Sequence, residues 1–335
     1  MVLAGFQGIT AREAQPTIRS IAAGNIGAVI LYDLDDHSNP RNIQSREQLR
    51  DLTAALKAAS EIPVLVSLDA EGGFYHRLRE KYGFAPSQSA ADMGERNDVA
   101  FTRAAAGSIA AELADVGIDM NLAPVVDLMN PVNLEVSARH RSFSSDPAVV
   151  AVHAREFIVA HHERGVLTTA KHFPGSGGIV RNDPGGLRES IEGWSEDELE
   201  PYRALIGEGL PDAVMATRMT IPKLDPELPA CLSPRIVDGL LRRQMGFEGV
   251  VISDAMENAA IWAAYGLERG TILAINAGVD MLLLCNINPA VAYSNERGPE
   301  TVQIIVDAVA RGEIAESRIN EACGRILALK SRLLA

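Results

Sequence analysis

The segment Val250-Val251-Ile252-Ser253-Asp254 decides the fold class of this chain. Four residues that suit a buried strand are followed at once by a carboxylate. The same design recurs at 64–69 and at 122–127, each of which ends in an aspartate, and the apolar run from 166 ends in Lys171-His172. Because charges are costly inside a core, charges repeated at strand exits predict one polar mouth above an apolar barrel.

Strand-like and helix-like stretches alternate along the chain, which favours a parallel sheet with crossover helices. The apolar patterns predict about eight helices, among them one at about 147–164 and one near 267–276. They also predict seven strands, at 26–32, 63–69, 122–127, 166–173, 212–217, 249–254 and 279–285. We therefore predict an α/β fold, a TIM-type (β/α)8 barrel with room for one irregular or missing strand, as a single domain over residues 1–335. A doubly wound open sheet is disfavoured because no G-x-G-x-x-G follows the first predicted strand.

Composition narrows the class of partner. The chain has 335 residues, of which 47% are hydrophobic and 22% charged, as in globular proteins with a sizeable core. Its net charge of −13 argues against nucleic acid or an anionic membrane as the main partner. No apolar run reaches the roughly 18 residues that span a bilayer, and the first residues do not resemble a secretory signal. We expect a cytoplasmic protein; the sequence does not indicate its oligomeric state.

Two clusters of polar residues are candidates for chemistry. Asp69-Ala70-Glu71-Gly72-Gly73 places two carboxylates beside a glycine pair, which allows the backbone to approach a ligand. Lys171 and His172 end an apolar strand, so they either face the polar mouth or lose solvation. Three scattered cysteines do not form a metal-ligand pattern, and we expect neither a metal nor an organic cofactor.

Several motifs, in this order along the chain, resemble glycoside hydrolase family 3, and in particular its single-domain β-N-acetylhexosaminidase branch. The matching segments are DAEGGFYHRL at 69–78, NLAPVVDL at 121–128, RSFSSDP at 141–147, KHFPGSGG at 171–178, LPACLSP at 228–234 and GFEGVVISDAM at 246–256. The resemblance implies a barrel and a retaining mechanism on a β-linked sugar, without a cofactor. It implies that Asp254 is the nucleophile that forms a glycosyl-enzyme. The residues it implies for holding sugar hydroxyls are Asp69, Arg77, Arg141, Lys171 and His172.

The match breaks in the loop that carries the acid/base residue. The branch has an Asp-Ser-His there, and the same positions in this chain read Asn182-Asp183-Pro184. Proline has no side-chain proton to give, so we take Asp183 as the candidate acid/base, with Glu189 and His76 behind it. The loop also has Ser176 in place of a family histidine, and elsewhere Phe74 replaces an arginine and Arg218 a histidine.

These departures leave several functions open. With another proton donor, the protein is a β-N-acetylhexosaminidase-like exo-enzyme. Without one, hydrolysis is slower by about 10²–10⁴-fold or limited to substrates with good leaving groups. The protein could instead be an inactive member that binds sugars or regulates, a β-glucosidase, or a phosphorylase in which an anionic phosphate attacks without a general base.

Overall fold

The computed structural model describes residues 1–35, 37–182, 189–288 and 291–333. Within them, eight parallel strands form one sheet in the order β7-β6-β5-β4-β3-β2-β1-β8. The strands are β1 (Val2–Gly5), β2 (Ala28–Leu31), β3 (Leu65–Leu68), β4 (Met120–Asn121), β5 (Leu167–Phe173), β6 (Ala213–Ala216), β7 (Val250–Ser253) and β8 (Leu282–Leu284). The end strands meet at a parallel bridge between Ile252 and Met281. The predicted barrel is confirmed, with one loosely sealed seam.

Two strand predictions need correction. The prediction of seven strands was wrong, because β1 at the start of the chain was missed. Four residues are too few to show a period, and β1 is identifiable only from its pairing with β2 and β8. The strand predicted at 122–127 is also shorter, since regular pairing ends at Asn121 and resumes only as a bridge from Val125 to Lys171. Pro124, which has no backbone N–H to donate, interrupts the ladder.

Helices cover the outside of the sheet. They are α1 (Gln15–Ala22), α2 (Arg46–Lys57), α3 (Ala90–Arg96), α4 (Val99–Asp115), α5 (Pro147–His162), α6 (Glu200–Gly207), α7 (Ala259–Ala277), α8 (Arg297–Ala310) and α9 (Glu316–Ser331). The segment Arg235–Gln244 is wound with π-type hydrogen bonds. Polar N-caps begin several of them; for example, Ser45 and Gln48 form a reciprocal capping box on α2. No helix in the described part of the chain has the length and hydropathy to cross a bilayer.

The core has two layers, as a barrel requires. Side chains that point inward from the strands form one apolar cluster, which includes Leu3, Ile30, Met120, Met215 and Ile252. A larger cluster lies between the strands and the surrounding helices. Because the interior is filled, the polar residues at the strand ends are confined to the rim. The site therefore lies at the carboxyl ends of the strands, as in other barrels of this type.

Candidate active site

A cavity of about 200 Å³ opens at the carboxyl ends of the strands. It is lined by the predicted nucleophile and all five predicted sugar-binding residues, Asp69, Arg77, Arg141, Lys171, His172 and Asp254. These residues come from three different strand ends and two loops, so the barrel brings together what the sequence separates by up to 185 positions.

Glu71 is the centre of the charged floor of the cavity. Arg141 donates to both of its oxygens, from Nε and Nη2, at 2.8 Å each. Lys171 Nζ lies 2.7 Å from Glu71 Oε1 and 2.7 Å from Asp69 Oδ1. Burial acts to raise the pKa of Glu71, but the charges of Arg141 and Lys171 outweigh it and hold that pKa far below its usual range. The result is a rigid array of donors and acceptors beside the cavity.

Arg77 extends this array to a second buried carboxylate. Its Nη1 lies 3.3 Å from Asp33 Oδ1 and its Nη2 lies 3.8 Å from Asp69 Oδ2. The Arg77 guanidinium also lies over the ring of Tyr32, with its central carbon 5.2 Å from the centre of the ring. Arg41 lies over the same ring at 5.1 Å. Burial acts to lower the pKa of Arg77, but the nearby acids raise it overall. The side chain is therefore a fixed cation at one edge of the cavity.

Asp127 fixes the orientation of His172. The aspartate is fully buried, and its Oδ2 lies 2.7 Å from His172 Nδ1 while its Oδ1 accepts from the backbone N–H of His172 at 3.0 Å. An ionised carboxylate can only accept, so Nδ1 carries the proton and Nε2 is left as an acceptor toward the cavity. Asp127 Oδ1 also accepts from the N–H of Ser176 at 2.8 Å. One carboxylate thus positions both His172 and the loop that follows it.

Asp254 stands at the end of β7 with 8% of its surface exposed. Its Oδ1 accepts from the N–H of Ala255 at 2.7 Å, and its Oδ2 accepts from the N–H of Arg218 at 3.2 Å and from Arg218 Nη1 at 3.3 Å. Burial acts to raise the pKa of Asp254, but the charge of Arg218 and the two backbone donors lower it overall. Asp254 is therefore an ionised carboxylate at neutral pH, as a nucleophile in glycosyl transfer must be.

Arg218 and Glu189 complete the charges around Asp254. Arg218 lines the cavity, and its Nε donates to Glu189 Oε2 at 2.9 Å. Burial acts to lower the pKa of Arg218, but Asp254 and Glu189 raise it overall. Sequence reasoning noted Arg218 only as a departure from a family motif. Its contact with Asp254 follows from the position of β6 beside β7, which adjacent strand ends could have suggested.

The three candidates for the acid/base residue have different positions. Asp183 lies outside the described residues. His76 is 4% exposed and is not among the described side chains that line the cavity, because Tyr75 and Arg77, its neighbours in the chain, face the cavity instead. Burial lowers the pKa of His76 to about 4, so it is neutral. Glu189 is the one candidate of the three that the structure connects to Asp254, through Arg218.

A larger cavity, of about 430 Å³, lies at the opposite ends of β6 and β7. Its wall includes Asp212, which is already paired with His162 at 2.7 Å and with Arg332. In barrels of this type the end opposite the carboxyl ends supports stability. The smaller cavity around Asp254 is therefore the candidate active site. Among the described residues, no group of three or more histidine, cysteine or acidic side chains is arranged to hold a metal ion.

Comparisons with known proteins agree with this geometry. Residues 3–329 match the model of the glycosyl hydrolase family 3 N terminal domain. The chain belongs to glycoside hydrolase family 3.

Proteins similar to this chain include several that are named β-hexosaminidase. A β-hexosaminidase of Xanthomonas oryzae pv. oryzae is 38% identical over 253 residues, which cover 73% of this chain and 74% of the relative. One of Stenotrophomonas maltophilia is 35% identical over 301 residues, 85% of this chain and 83% of the relative. These matches confirm the family that the motifs predicted.

Solved structures of similar proteins share the fold. A β-N-acetylglucosaminidase from a Paenibacillus species superposes with a TM-score of 0.85 at 32% identity, over 99% of this chain and 61% of that longer chain. A β-N-acetylhexosaminidase from Beutenbergia cavernae gives a TM-score of 0.85 at 30% identity, over 98% of this chain and 96% of that one. The barrel of this chain is thus the family 3 barrel.

Proposed function

We propose that this family 3 glycosidase is a retaining, exo-acting β-N-acetylhexosaminidase whose nucleophile is Asp254. The observation that carries the proposal is the convergence of the ionised Asp254 with a preorganised set of sugar-binding side chains in one cavity. The cavity, of about 200 Å³, is smaller than the roughly 300–1,000 Å³ typical of drug-sized ligands. That size suits one terminal sugar unit, which is why we propose an exo-enzyme.

The choice of sugar rests on the relatives. Proteins that are 35–38% identical to most of this chain are named β-hexosaminidase, and similar solved structures are named for N-acetylglucosamine or N-acetylhexosamine. We therefore propose a β-linked N-acetylhexosamine as the substrate. A cytoplasmic location and a single-domain organisation stay predictions from the sequence.

Each side chain has a role in this proposal. Asp254 Oδ2 attacks the anomeric carbon and forms an ester with the sugar. Asp69, Arg77, Arg141, Lys171 and His172 hold the hydroxyl groups of the ring. Because these groups are fixed by their own ion pairs, they contribute to rate only where their contacts tighten as the ring flattens toward the oxocarbenium ion.

Activity assays with Asp254→Ala test the nucleophile. We expect wild type to cleave para-nitrophenyl N-acetyl-β-glucosaminide faster than the matching β-glucoside, and the variant to lose at least about 10³-fold in kcat. A sugar fluoride with a second ring fluorine should label Asp254, as intact mass and peptide mapping would show. Label on another side chain would contradict the assignment.

The same assays separate the alternative functions. If wild type cleaves neither substrate but binds N-acetylglucosamine by calorimetry, the protein is a sugar-binding member. If the β-glucoside is preferred, the proposed substrate is wrong. If added phosphate yields a sugar 1-phosphate in place of the free sugar, the protein is a phosphorylase.

A further inference from the structure

The guanidinium of Arg218 joins two carboxylates that belong to different loops. Its Nη1 lies 3.3 Å from Asp254 Oδ2, and its Nε lies 2.9 Å from Glu189 Oε2. Glu189 begins the strand Glu189–Glu192, which follows the KHFPG motif, and its neighbour Ser190 pairs with Thr220. Strand pairing thus places Glu189 beside Arg218, at the end of the barrel where Asp254 emerges.

Glu189 reaches the cavity through Arg218, which lines it, and the carboxylates that line the cavity beside Asp254 have cationic partners of their own. Asp69 and Glu71 each lie 2.7 Å from Lys171 Nζ. Glu135 lies 3.2 Å from Arg139, on the side of the cavity where Arg139 also contacts Tyr75. The charge of Glu135 also acts on Arg218, but among the described carboxylates Glu189 is the one that forms a direct ion pair with the arginine that contacts Asp254.

We propose that Glu189 is the acid/base residue of the reaction and that Arg218 positions it opposite Asp254; this inference rests on the proposed function. Most retaining glycosidases have a second carboxyl group near the nucleophile that serves as the acid/base. The Glu189 side chain is about one-fifth exposed, so it can exchange protons with solvent between the two half-reactions.

The charges balance through both half-reactions. In the first, Asp254 Oδ2 bonds to the anomeric carbon, the glycosidic C–O bond breaks, and the proton of the Glu189 carboxyl moves to the departing oxygen. The negative charge therefore passes from Asp254, now an ester, to Glu189. In the second, Glu189 takes a proton from water as the water oxygen bonds to the anomeric carbon and the ester bond breaks. This sequence requires Glu189 to take up a proton from solvent before the first half-reaction; from then on the two carboxyl groups together carry one negative charge, and Arg218, which keeps its proton, contacts both.

The shared ion pair accounts together for two departures from the family pattern: the arginine at position 218 and the loss of the loop histidine. A histidine at position 218 would be neutral for much of the time at neutral pH, whereas arginine is always charged. With Arg218 in place, a glutamate across from Asp254 can replace a loop histidine as the proton donor. The changed loop and the changed residue after β6 thus form one alternative arrangement.

Azide rescue of Glu189→Ala tests the proposal. Azide needs no general base, so it should attack the glycosyl-enzyme that accumulates in this variant and release a β-glycosyl azide. We expect kcat of Glu189→Ala to fall by about 10²–10⁴-fold on phenyl N-acetyl-β-glucosaminide, which has a poor leaving group. On dinitrophenyl N-acetyl-β-glucosaminide, whose leaving group needs no proton, kcat should fall much less. With the dinitrophenyl substrate, sodium azide should restore turnover. Glu189→Gln, which keeps the shape and an acceptor for Arg218, should lose activity on the phenyl substrate to the same degree while remaining folded.

Glu192→Ala is the matched control, since Glu192 lies on the same strand, is exposed and pairs with Arg181 on the neighbouring strand. It should keep wild-type activity and show no response to azide. If azide rescues Asp183→Ala or Glu135→Ala and leaves Glu189→Ala unchanged, the assignment to Glu189 is overturned. If wild type cleaves no aryl glycoside at all, the proposed function fails, and this inference fails with it.

Discussion

At the scale of single residues, the floor of the cavity consists of charges that neutralise one another. Glu71, Arg141 and Lys171 are largely buried, with side-chain exposures of 3%, 11% and 3%. Moving such charges out of water is costly, so the array gains little over an apolar floor, but removing one member leaves the others unpaired. The arrangement is therefore maintained as a set, which suits a surface that must hold a sugar in one orientation.

Glu71→Gln should expose this dependence. The variant leaves Arg141 and Lys171 without their shared partner, so we expect the free energy of unfolding at pH 7 to fall by about 3–5 kcal/mol. Because the pKa of Glu71 is lower in the folded state than its ordinary 4.5, the ionised carboxylate stabilises the fold above pH 4.5, and this contribution is lost as the pH falls further. Urea denaturation from pH 7 to pH 3 should show the two proteins converging at low pH.

Glu95→Gln is the control for that series, because Glu95 is an exposed residue of α3. It should change the free energy of unfolding by less than about 0.5 kcal/mol at any pH. A constant difference between wild type and Glu71→Gln across the pH range would contradict the low folded-state pKa of Glu71.

Sequence reasoning predicts residues at strand ends and misses the pairs between loops. Asp254, Lys171 and His172 were predictable because each follows an apolar strand directly. The bidentate contact of Arg141 with Glu71 was not, since 70 positions separate them and both lie in irregular segments. Such contacts depend on how loops cross the mouth of the barrel, which no local pattern encodes.

At the scale of elements, the buried side chain of Glu198 packs against the loop after β5 and accepts a hydrogen bond from its backbone. A Cβ on Gly177 would lie 2.3 Å from Glu198 Oε1, and one on Gly175 would lie 2.5 Å from Oε2. Glu198 Oε2 accepts from the N–H of Leu128 at 3.1 Å, and the N–H of Gly177 also donates to this carboxyl group. The glycines of this loop therefore allow the backbone to close over a buried acid.

Glu198→Gln should change how stability depends on pH. Burial, helped by the charge of Asp127, raises the pKa of Glu198 to about 8 from its ordinary 4.5. Between these values the unfolded chain releases a proton that the folded chain keeps, so this residue makes wild type less stable as the pH rises. The variant lacks this pH-dependent contribution. As the pH increases from about 4.5 to about 8, the free energy of unfolding of the variant relative to wild type should therefore rise by up to about 1.4 kcal/mol per pH unit.

Thermal or urea unfolding between pH 5 and pH 9 measures this difference. Glu196→Gln, at an exposed position of the same turn, should run parallel to wild type. If Glu198→Gln also runs parallel to wild type, Glu198 does not carry a proton in the folded state at neutral pH.

Element prediction succeeded where the apolar pattern was long and failed where pairing is decided by distant strands. The helix 147–164 and the strand 166–173 were predicted within two residues of α5 and β5. The helix predicted at 267–276 is only the second part of α7, because Gly266, with a φ of 62°, bends a helix that begins at Ala259. A glycine with positive φ looks like a boundary in the sequence, whereas here the chain continues as a helix on both sides.

At the scale of the whole molecule, the barrel closes at a seam between β7 and β8. Backbone hydrogen bonds cross it from Asp280 and Met281 to Val251 and from Ser253 to Met281, and side chains add further hydrogen bonds. Asp280 Oδ2 accepts from the N–H of Val251 at 3.0 Å, and Ser253 Oγ accepts from the N–H of Leu283 at 2.9 Å. Since Asp254 follows β7 directly, the seam also determines where the proposed nucleophile stands.

Asp280 connects the seam to the outer helices. Arg242 from the segment Arg235–Gln244 lies 2.5 Å from its Oδ2, and Arg318 and Arg325 from α9 contact its Oδ1, the latter at 3.2 Å. Burial, together with the charges of the two other arginines, lowers the pKa of Arg242 to about 10 despite the opposing charge of Asp280. One buried carboxylate therefore neutralises a cluster of guanidinium groups that would otherwise repel one another.

Asp280→Asn should therefore destabilise the whole barrel. The amide can still accept from Val251, but it no longer neutralises the three arginines, so we expect the free energy of unfolding at pH 7 to fall by about 3–5 kcal/mol. Urea denaturation followed by tryptophan fluorescence measures the loss. Asp238→Asn is the matched control, because it removes an exposed partner of Arg243 and should cost no more than about 1 kcal/mol. Equal effects of the two substitutions would mean that the seam is held by its backbone bridges and packing, and that Asp280 contributes no more than a surface ion pair.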